Sequence, residues 1–256
     1  MLESKEMLIM RVSRLFDSNM FGSFQWLLSA SLLVLMQGLA ALVSAEAMTP
    51  HQTIESNTQT LISLVQQAKE NKDGSKGYFY TNPNKYYTEL SRVIDPIVDF
   101  PTFTRGVMGR YGTSDYYRSL KTKEEKAAFK KNYRRFVKEF KQGLMQTYGK
   151  GMMAFNGQTI KVLPPTAKDK QAITNRKMVN VRQIIINQGK EYEVIFKMRP
   201  DRDGKWILRN IIIDKINIGE LYKKQFESAM TKYKGDFSTV VDRWLVDMDN
   251  ESKKKK

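Results

Sequence analysis

The chain has 256 residues, 43 of them Lys or Arg and 27 Asp or Glu, which gives a formal net charge of +16. It has one histidine and no cysteine, so disulfide frameworks, thiol catalysis, thiolate metal sites and lipid attachment through a cysteine are all excluded. So basic a chain attracts polyanions, which leaves nucleic acid, anionic membrane and acidic partners to be weighed.

Residues 1–45 read as a cleavable export signal: Lys5, Arg11 and Arg14 precede an apolar run over 26–43 that ends in Val43-Ser44-Ala45. The run is about 18 residues, at the short edge of what spans a bilayer, so an uncleaved anchor is the alternative. Glu3, Glu6 and Asp17 balance the three basic residues, and the net charge of +16 therefore belongs to the exported part. Residues 46–250 are expected to form one domain and 251–256 a disordered Lys-rich tail. The lone His51 sits in a polar stretch near the new terminus and is expected to be exposed and no ligand.

A helix follows with Ile54, Thr58, Leu61, Ile62, Val65 and Ala68 on one face. After a loop over 71–77, Tyr86, Leu90, Val93, Ile94 and Ile97 mark a second helix ending near Asp99. Asp99 suits an N-cap, with Pro101 just inside a short helix reaching about Met108. Thr122 and Glu125 then form a capping box for a long helix. Its apolar stripe is Phe129, Tyr133, Phe136, Val137, Phe140, Leu144, Met145 and Tyr148; its other face is basic.

The period changes to two after residue 178. Over residues 179–186 apolar residues become nearly continuous, as in a strand covered on both faces. Tyr192, Val194, Phe196 and Met198 alternate with charged residues, as in a half-buried strand. Asp203-Gly204 signals a hairpin into a strand over 206–213, whose run Ile211-Ile212-Ile213 again suggests cover on both faces. Two helices close the chain, one with Ile218, Leu221, Tyr222, Phe226, Ala229 and Tyr233, stopped by Gly235, the other with Phe237, Val240, Val241, Trp244 and Leu245. The pattern is α+β: helices wrapped on a curved antiparallel sheet. There is no internal repeat.

Catalysis finds little footing. One His, no Cys and no G-x-S-x-G leave no triad or dyad. The glycines over 143–151 miss the phosphate-loop spacing and lie in a helix. Asp201-Arg202-Asp203-Gly204 begins like a calcium loop but lacks the later ligands. No metal, no cofactor and no enzymatic activity are expected. Nor is nucleic acid, because the aromatics occupy the buried stripe and the lysines the opposite face.

From Val98 onward the sequence resembles the periplasmic phospholipid-carrier family called MlaC, or toluene-tolerance proteins. The resemblance rests on an ordered set of blocks over about 150 residues. These are Val98-Asp99-Phe100 with Thr104-Arg105-Gly106-Val107-Met108-Gly109-Arg110-Tyr111; the stripe from Phe129 ending Gln146-Thr147-Tyr148-Gly149; Phe155-Asn156-Gly157-Gln158; Gly204-Lys205-Trp206; and Ile216-Asn217-Ile218 with Tyr222-Lys223-Lys224-Gln225-Phe226. Arg209-Asn210 and Asp214-Lys215 depart from the family's usual Tyr-Asp and Glu-Gly, and residues 1–97 carry no match.

The resemblance implies a cone akin to nuclear-transport-factor and cystatin-like folds, with extra helices and an apolar cavity for acyl chains. It implies a soluble periplasmic monomer that carries phospholipid between an inner-membrane ABC transporter with a substrate-binding ring and an outer-membrane lipoprotein complex, maintaining outer-membrane lipid asymmetry. The cavity wall would come from inward-alternating strand residues Val179, Val181, Ile185, Tyr192, Val194, Phe196, Met198, Leu208, Ile211 and Ile213. Helical residues Val107, Met108, Tyr111, Phe140, Leu144, Tyr148, Met152, Ile218 and Tyr222 would form its lid. Periodicity alone does not separate such a wall from an ordinary core. A cone-fold protein that binds or transforms a small polar ligand, with acidic or His residues inside, and a periplasmic adaptor with a solid core are the alternatives.

Overall fold

The computed structural model describes residues 48–71 and 73–253, with side chains up to residue 247. The expected export signal and residues 254–256 of the expected tail lie outside the described residues. Helix α1 (Pro50–Lys69) starts where the chain offers Thr49 as N-cap and Pro50 at the first helical position. The Thr49 and Gln52 side chains each accept from the other's backbone N–H, at 3.3 and 2.9 Å. Ile54, Val65 and Ala68 form its buried stripe.

Helix α2 (Pro83–Ile94) follows, with Tyr86 and Leu90 buried. Helix α3 (Phe100–Val107) is capped by the Asp99 carboxylate, which accepts from the Thr102 N–H at 3.0 Å and from Arg209 at 3.0 Å. Burial pushes the Asp99 carboxyl up, but these hydrogen bonds outweigh it and hold the group below the usual range. A 3-10 turn (Gly109–Gly112) and the short helix α4 (Ser114–Ser119) lead to α5 (Lys123–Met152), the longest element. Its capping box is formed as expected: Thr122 Oγ1 accepts from the Glu125 N–H and the Glu125 carboxylate from the Thr122 N–H, both at 3.0 Å.

Near its C-terminal end α5 carries Gly149, where a Cβ would fall 2.7 Å from Leu90 Cδ2 of α2. The missing side chain lets α2 lie against α5, and the Tyr86 hydroxyl donates to the Gly149 carbonyl at 3.1 Å.

Strands β1 (Thr159–Val162), β2 (Val179–Asn187), β3 (Lys190–Pro200), β4 (Trp206–Ile213) and β5 (Ile216–Asn217) form one antiparallel sheet in sequence order. Helix α6 (Ala167–Thr174) bridges β1 and β2, and α7 (Ile218–Lys232) and α8 (Phe237–Lys253) complete the chain. The fold is the expected α+β arrangement. Val181 pairs with Phe196 and Phe196 with Ile211, so one row of inward side chains crosses the sheet. A bulge at Lys197/Met198 pairs Met198 with Leu208. Strict alternation from Ile213 and Ile211 would have turned Arg209 inward; the extra residue puts Leu208 there instead and frees Arg209 to reach Asp99.

Several details differ from the sequence expectation. β2 is not covered on both faces: its residues alternate, with Asn180 and Arg182 exposed and Ile184 and Ile186 half-buried. Ile212 of the isoleucine run is likewise half-buried, and shares its face with Ile195, its partner across the strands. His51 is buried rather than exposed, because it lies in the first turn of α1. Helix α8 continues to Lys253, into the stretch expected to be disordered. Elements α4, β1, α6 and β5 carry too few apolar residues to announce themselves.

Candidate functional site

The inner face of the sheet and the helices do not meet everywhere. Between them lies a pocket of about 240 Å³, neither sealed nor flat. Ile185, Val194, Phe196, Leu208, Ile211 and Ile213 form its floor from the sheet, with Ile160 at the β1 edge. Leu144, Met145, Tyr148 and Met152 descend from the last turns of α5, and Ile218 closes the start of α7. Helix α1 supplies a whole side with Ile54, Asn57, Thr58, Leu61, Ile62 and Val65. Ile94 at the end of α2, Ile97 and Val98 from the turn after it, Phe100 and Phe103 from α3, and Phe155 complete the ring.

Among the described residues no charged side chain and no histidine lines the pocket. Its three amide or hydroxyl side chains other than tyrosine are Asn57, Thr58 and Gln183. Both amides donate to the protein: Gln183 Nε2 to Thr58 Oγ1 at 2.8 Å, and Asn57 Nδ2 to the Val93 carbonyl at 2.9 Å. Tyr148 is enveloped by protein yet keeps accessible surface, because it faces the pocket. Its hydroxyl lies 3.3 Å from that of Tyr222 behind it, and burial holds both phenols above their ordinary range. Two neutral, mutually bonded hydroxyls offer no nucleophile or base. Among the described residues no group of three His, Asp or Glu is placed to hold a metal, and no helix is long and apolar enough to cross a membrane.

Ten of the nineteen residues expected in the wall line this pocket: Leu144, Tyr148, Met152, Ile185, Val194, Phe196, Leu208, Ile211, Ile213 and Ile218. The other nine sit elsewhere. Val107 and Met108 are buried in the main core, on the stretch that runs along α7. Phe140 packs against Phe136, Phe103, Tyr222 and Trp244, with ring centroids 5.2–6.2 Å apart. Tyr222 is buried behind Tyr148, and Tyr111 meets Phe226 edge-on at 6.0 Å. Val179, Val181 and Met198 belong to a second cluster with Trp206, closed by Ala172 and Ile173 of α6. That unanticipated helix seals the far end of the sheet, so inward-facing residues there become core. Tyr192, at the opposite end of β3, packs on the main core.

Fifteen lining residues were not anticipated as wall, nine of them from α1, the end of α2 and the turn after it. The α1 stripe itself was visible in the sequence. Nothing local said that it faces a hollow.

With this geometry in hand, comparison with known proteins is informative. Residues 55–245 match the sequence profile of the family described as MlaC protein. The match begins in α1, some way upstream of the resemblance seen in the sequence. The toluene tolerance protein Ttg2D of Pseudomonas putida is 32% identical over 219 residues, which cover 85% of this chain and 89% of that one. A phospholipid-binding protein of Ralstonia solanacearum, solved in complex with a phospholipid, superposes with a TM-score of 0.55 at 22% identity, over 79% of this chain and 96% of that one. The last likeness shows the shared fold.

Proposed function

The chain belongs to the MlaC family, and we propose that it is a phospholipid carrier whose acyl chains occupy the pocket between α1, α5 and the sheet. The observation that carries this reading is an uncharged pocket of about 240 Å³ lined almost wholly by carbon. Sealed and empty, a void of this volume would cost about 6 kcal/mol at the rate found for engineered cavities. That is as large as the whole net stability of many domains. Water is a poor tenant, since the wall offers it few polar groups and the Asn57 and Gln183 amides already donate to protein atoms. An alkyl chain is a good one, gaining roughly 0.8 kcal/mol for each methylene taken out of water. Met145 and Met152 suit chains of differing length, because unbranched thioethers re-pack readily.

Holding a lipid requires no catalytic group, and the reading assigns none. A cone-fold protein for small polar ligands would place charge or histidine in this wall. An adaptor with a solid core would have no void to fill. The carrier works in the periplasm, taking phospholipid at one membrane complex and giving it up at another. Membership of the MlaC family supports that route.

Native mass spectrometry of the purified protein, followed by lipid extraction, tests the proposal. Phospholipid is expected to co-purify in stoichiometric amount, and stripped protein to reload from vesicles. A protein that is empty and accepts nothing from vesicles overturns it.

A further inference from the structure

A second concavity, of about 340 Å³, lies on the other side of α3 and is chemically unlike the first. Its walls include Arg105, Arg118 and Lys130 together with Tyr117, Phe129 and Tyr133. Phe103 faces the apolar pocket and Arg105 this one; two residues apart, they lie about 200° apart around α3. Along α5 the two pockets are reached at Lys130 and at Leu144, about 20 Å apart.

The floor is a ladder of rings with a cation at each end. The Arg105 guanidinium lies 5.3 Å from the Tyr133 ring centroid, and Tyr133 stacks on Phe129 at 6.5 Å. Phe129 touches Tyr117 at 5.8 Å, and Lys130 Nζ lies 5.4 Å from the Tyr117 ring. The Tyr133 hydroxyl donates to the Pro101 carbonyl at 2.7 Å, which fixes the ladder to α3. The carboxylates of this region are engaged with other groups: Asp115 neutralises Arg118 in the wall itself, Asp99 pairs with Arg209, and Glu125 serves its helix cap. Among the described residues Arg105 and Lys130 have no carboxylate partner within ion-pair distance.

We propose that this groove between α3, α4 and α5 is a second ligand site, one that takes a phosphate dianion. A planar guanidinium stacked on a ring still presents the edge that bonds phosphate oxygens in pairs. Two uncompensated cations match a phosphomonoester, which carries about −1.5 to −2 near neutral pH, better than a single carboxylate. The apolar floor leaves room for the organic part that bears it. The site is independent of the lipid reading, since it shares no lining residue with the apolar pocket.

The mature protein is titrated with inorganic phosphate at constant ionic strength and followed by amide chemical shifts. Saturable shifts confined to residues 105, 113–118 and 129–133 are expected. Arg105→Gln with Lys130→Gln should weaken binding at least tenfold, since tenfold is about the worth of a single charge-assisted hydrogen bond and two cations are removed. Lys131→Gln with Lys138→Gln removes the same charge from the exposed face of α5 and should change it less than twofold. Lys130→Gln alone serves if the double variant misfolds. Vesicles containing phosphatidic acid, compared with phosphatidylglycerol vesicles of matched surface charge, then identify the source. Preference for the former points to a lipid headgroup, and inorganic phosphate binding without preference points to a free phosphate; either supports the site. Unsaturable shifts, or equal loss in both charge-matched variants, overturn it.

Discussion

The two halves of α5 carry one continuous apolar stripe and meet opposite fates. In the first half, Phe136 is packed against Phe226 at 5.0 Å, edge-on against Trp244 at 4.9 Å, and against Phe237 at 6.0 Å. Flat rings meeting edge to face, supplied by α7 and α8, fill that end of the molecule. In the second half, Leu144, Met145, Tyr148 and Met152 look across at the sheet, and a pocket remains between them. Helical period determines which residues point inward. What they meet there is decided by the curvature and stagger of other elements. A stripe is thus evidence for a buried face and silent on whether the space beneath it is full.

The contrast is sharpest under substitution. Phe136→Ala, in the filled half, should cost about 3–5 kcal/mol, as cavity-forming truncations of buried phenylalanine do. Thermal unfolding would show it, while phospholipid per folded protein stays unchanged. An accompanying loss of lipid would mean that the two halves are not separate.

Val181→Phe comes next. Alternation turns Val181 inward and the family resemblance would put it in the wall, but it is fully buried in the cluster that α6 seals. Enlarging it should overpack that cluster at a cost of about 1–3 kcal/mol, again without a specific effect on lipid. Leu144→Trp should do the reverse. Its added atoms enter the hollow, so the stripped protein should gain about 0.5–2 kcal/mol, as cavity-filling changes do, while lipid occupancy falls. Stability and loading, measured on the same preparations, separate the three sites. A Leu144→Trp protein that is destabilised and fully loaded would place the pocket wall elsewhere.

These cases also show what the residues revealed and what they withheld. The long helix, its capping box, the hairpin at Asp203-Gly204 and the two closing helices follow from local rules, because caps and turns need only near neighbours. Tyr192, Val194, Phe196 and Met198 were legible as an inner face for the same reason. Whether Met198 lines a hollow and Val194 does not, or the converse, depends on α6. That short helix has a capping box at Thr166 and Asp169 but only Ala172 and Ile173 to bury. The contribution of α1 stayed hidden for a different reason: its stripe was clear, yet its partner lies more than a hundred residues away in β2, where Gln183 bonds Thr58. The bulge that turns Leu208 inward leaves no sequence signal at all.

The smallest expected effect concerns the one histidine. His51 sits in the first turn of α1, the helix that gives the pocket six of its wall residues, and its Nδ1 is buried without a hydrogen-bond partner. Burial lowers its pKa below the ordinary value; nearby Asp169, itself influenced by Arg182, works weakly the other way. The positive end of the helix also opposes a proton there. The unfolded chain binds a proton as the pH falls through about 6.5, while the folded chain still refuses one. Between the ordinary and the lowered value the unfolded state therefore holds more protons, and stability declines as pH drops. Above 6.5 the group is neutral in both states and costs nothing. His51→Gln removes this slope. From about pH 7.5 down to about pH 5 the unfolding midpoint of the wild type should fall further than that of His51→Gln. Parallel curves would mean that the imidazole is as free to charge in the folded protein as out of it, and that α1 is held at its N-terminus less tightly than its packing implies.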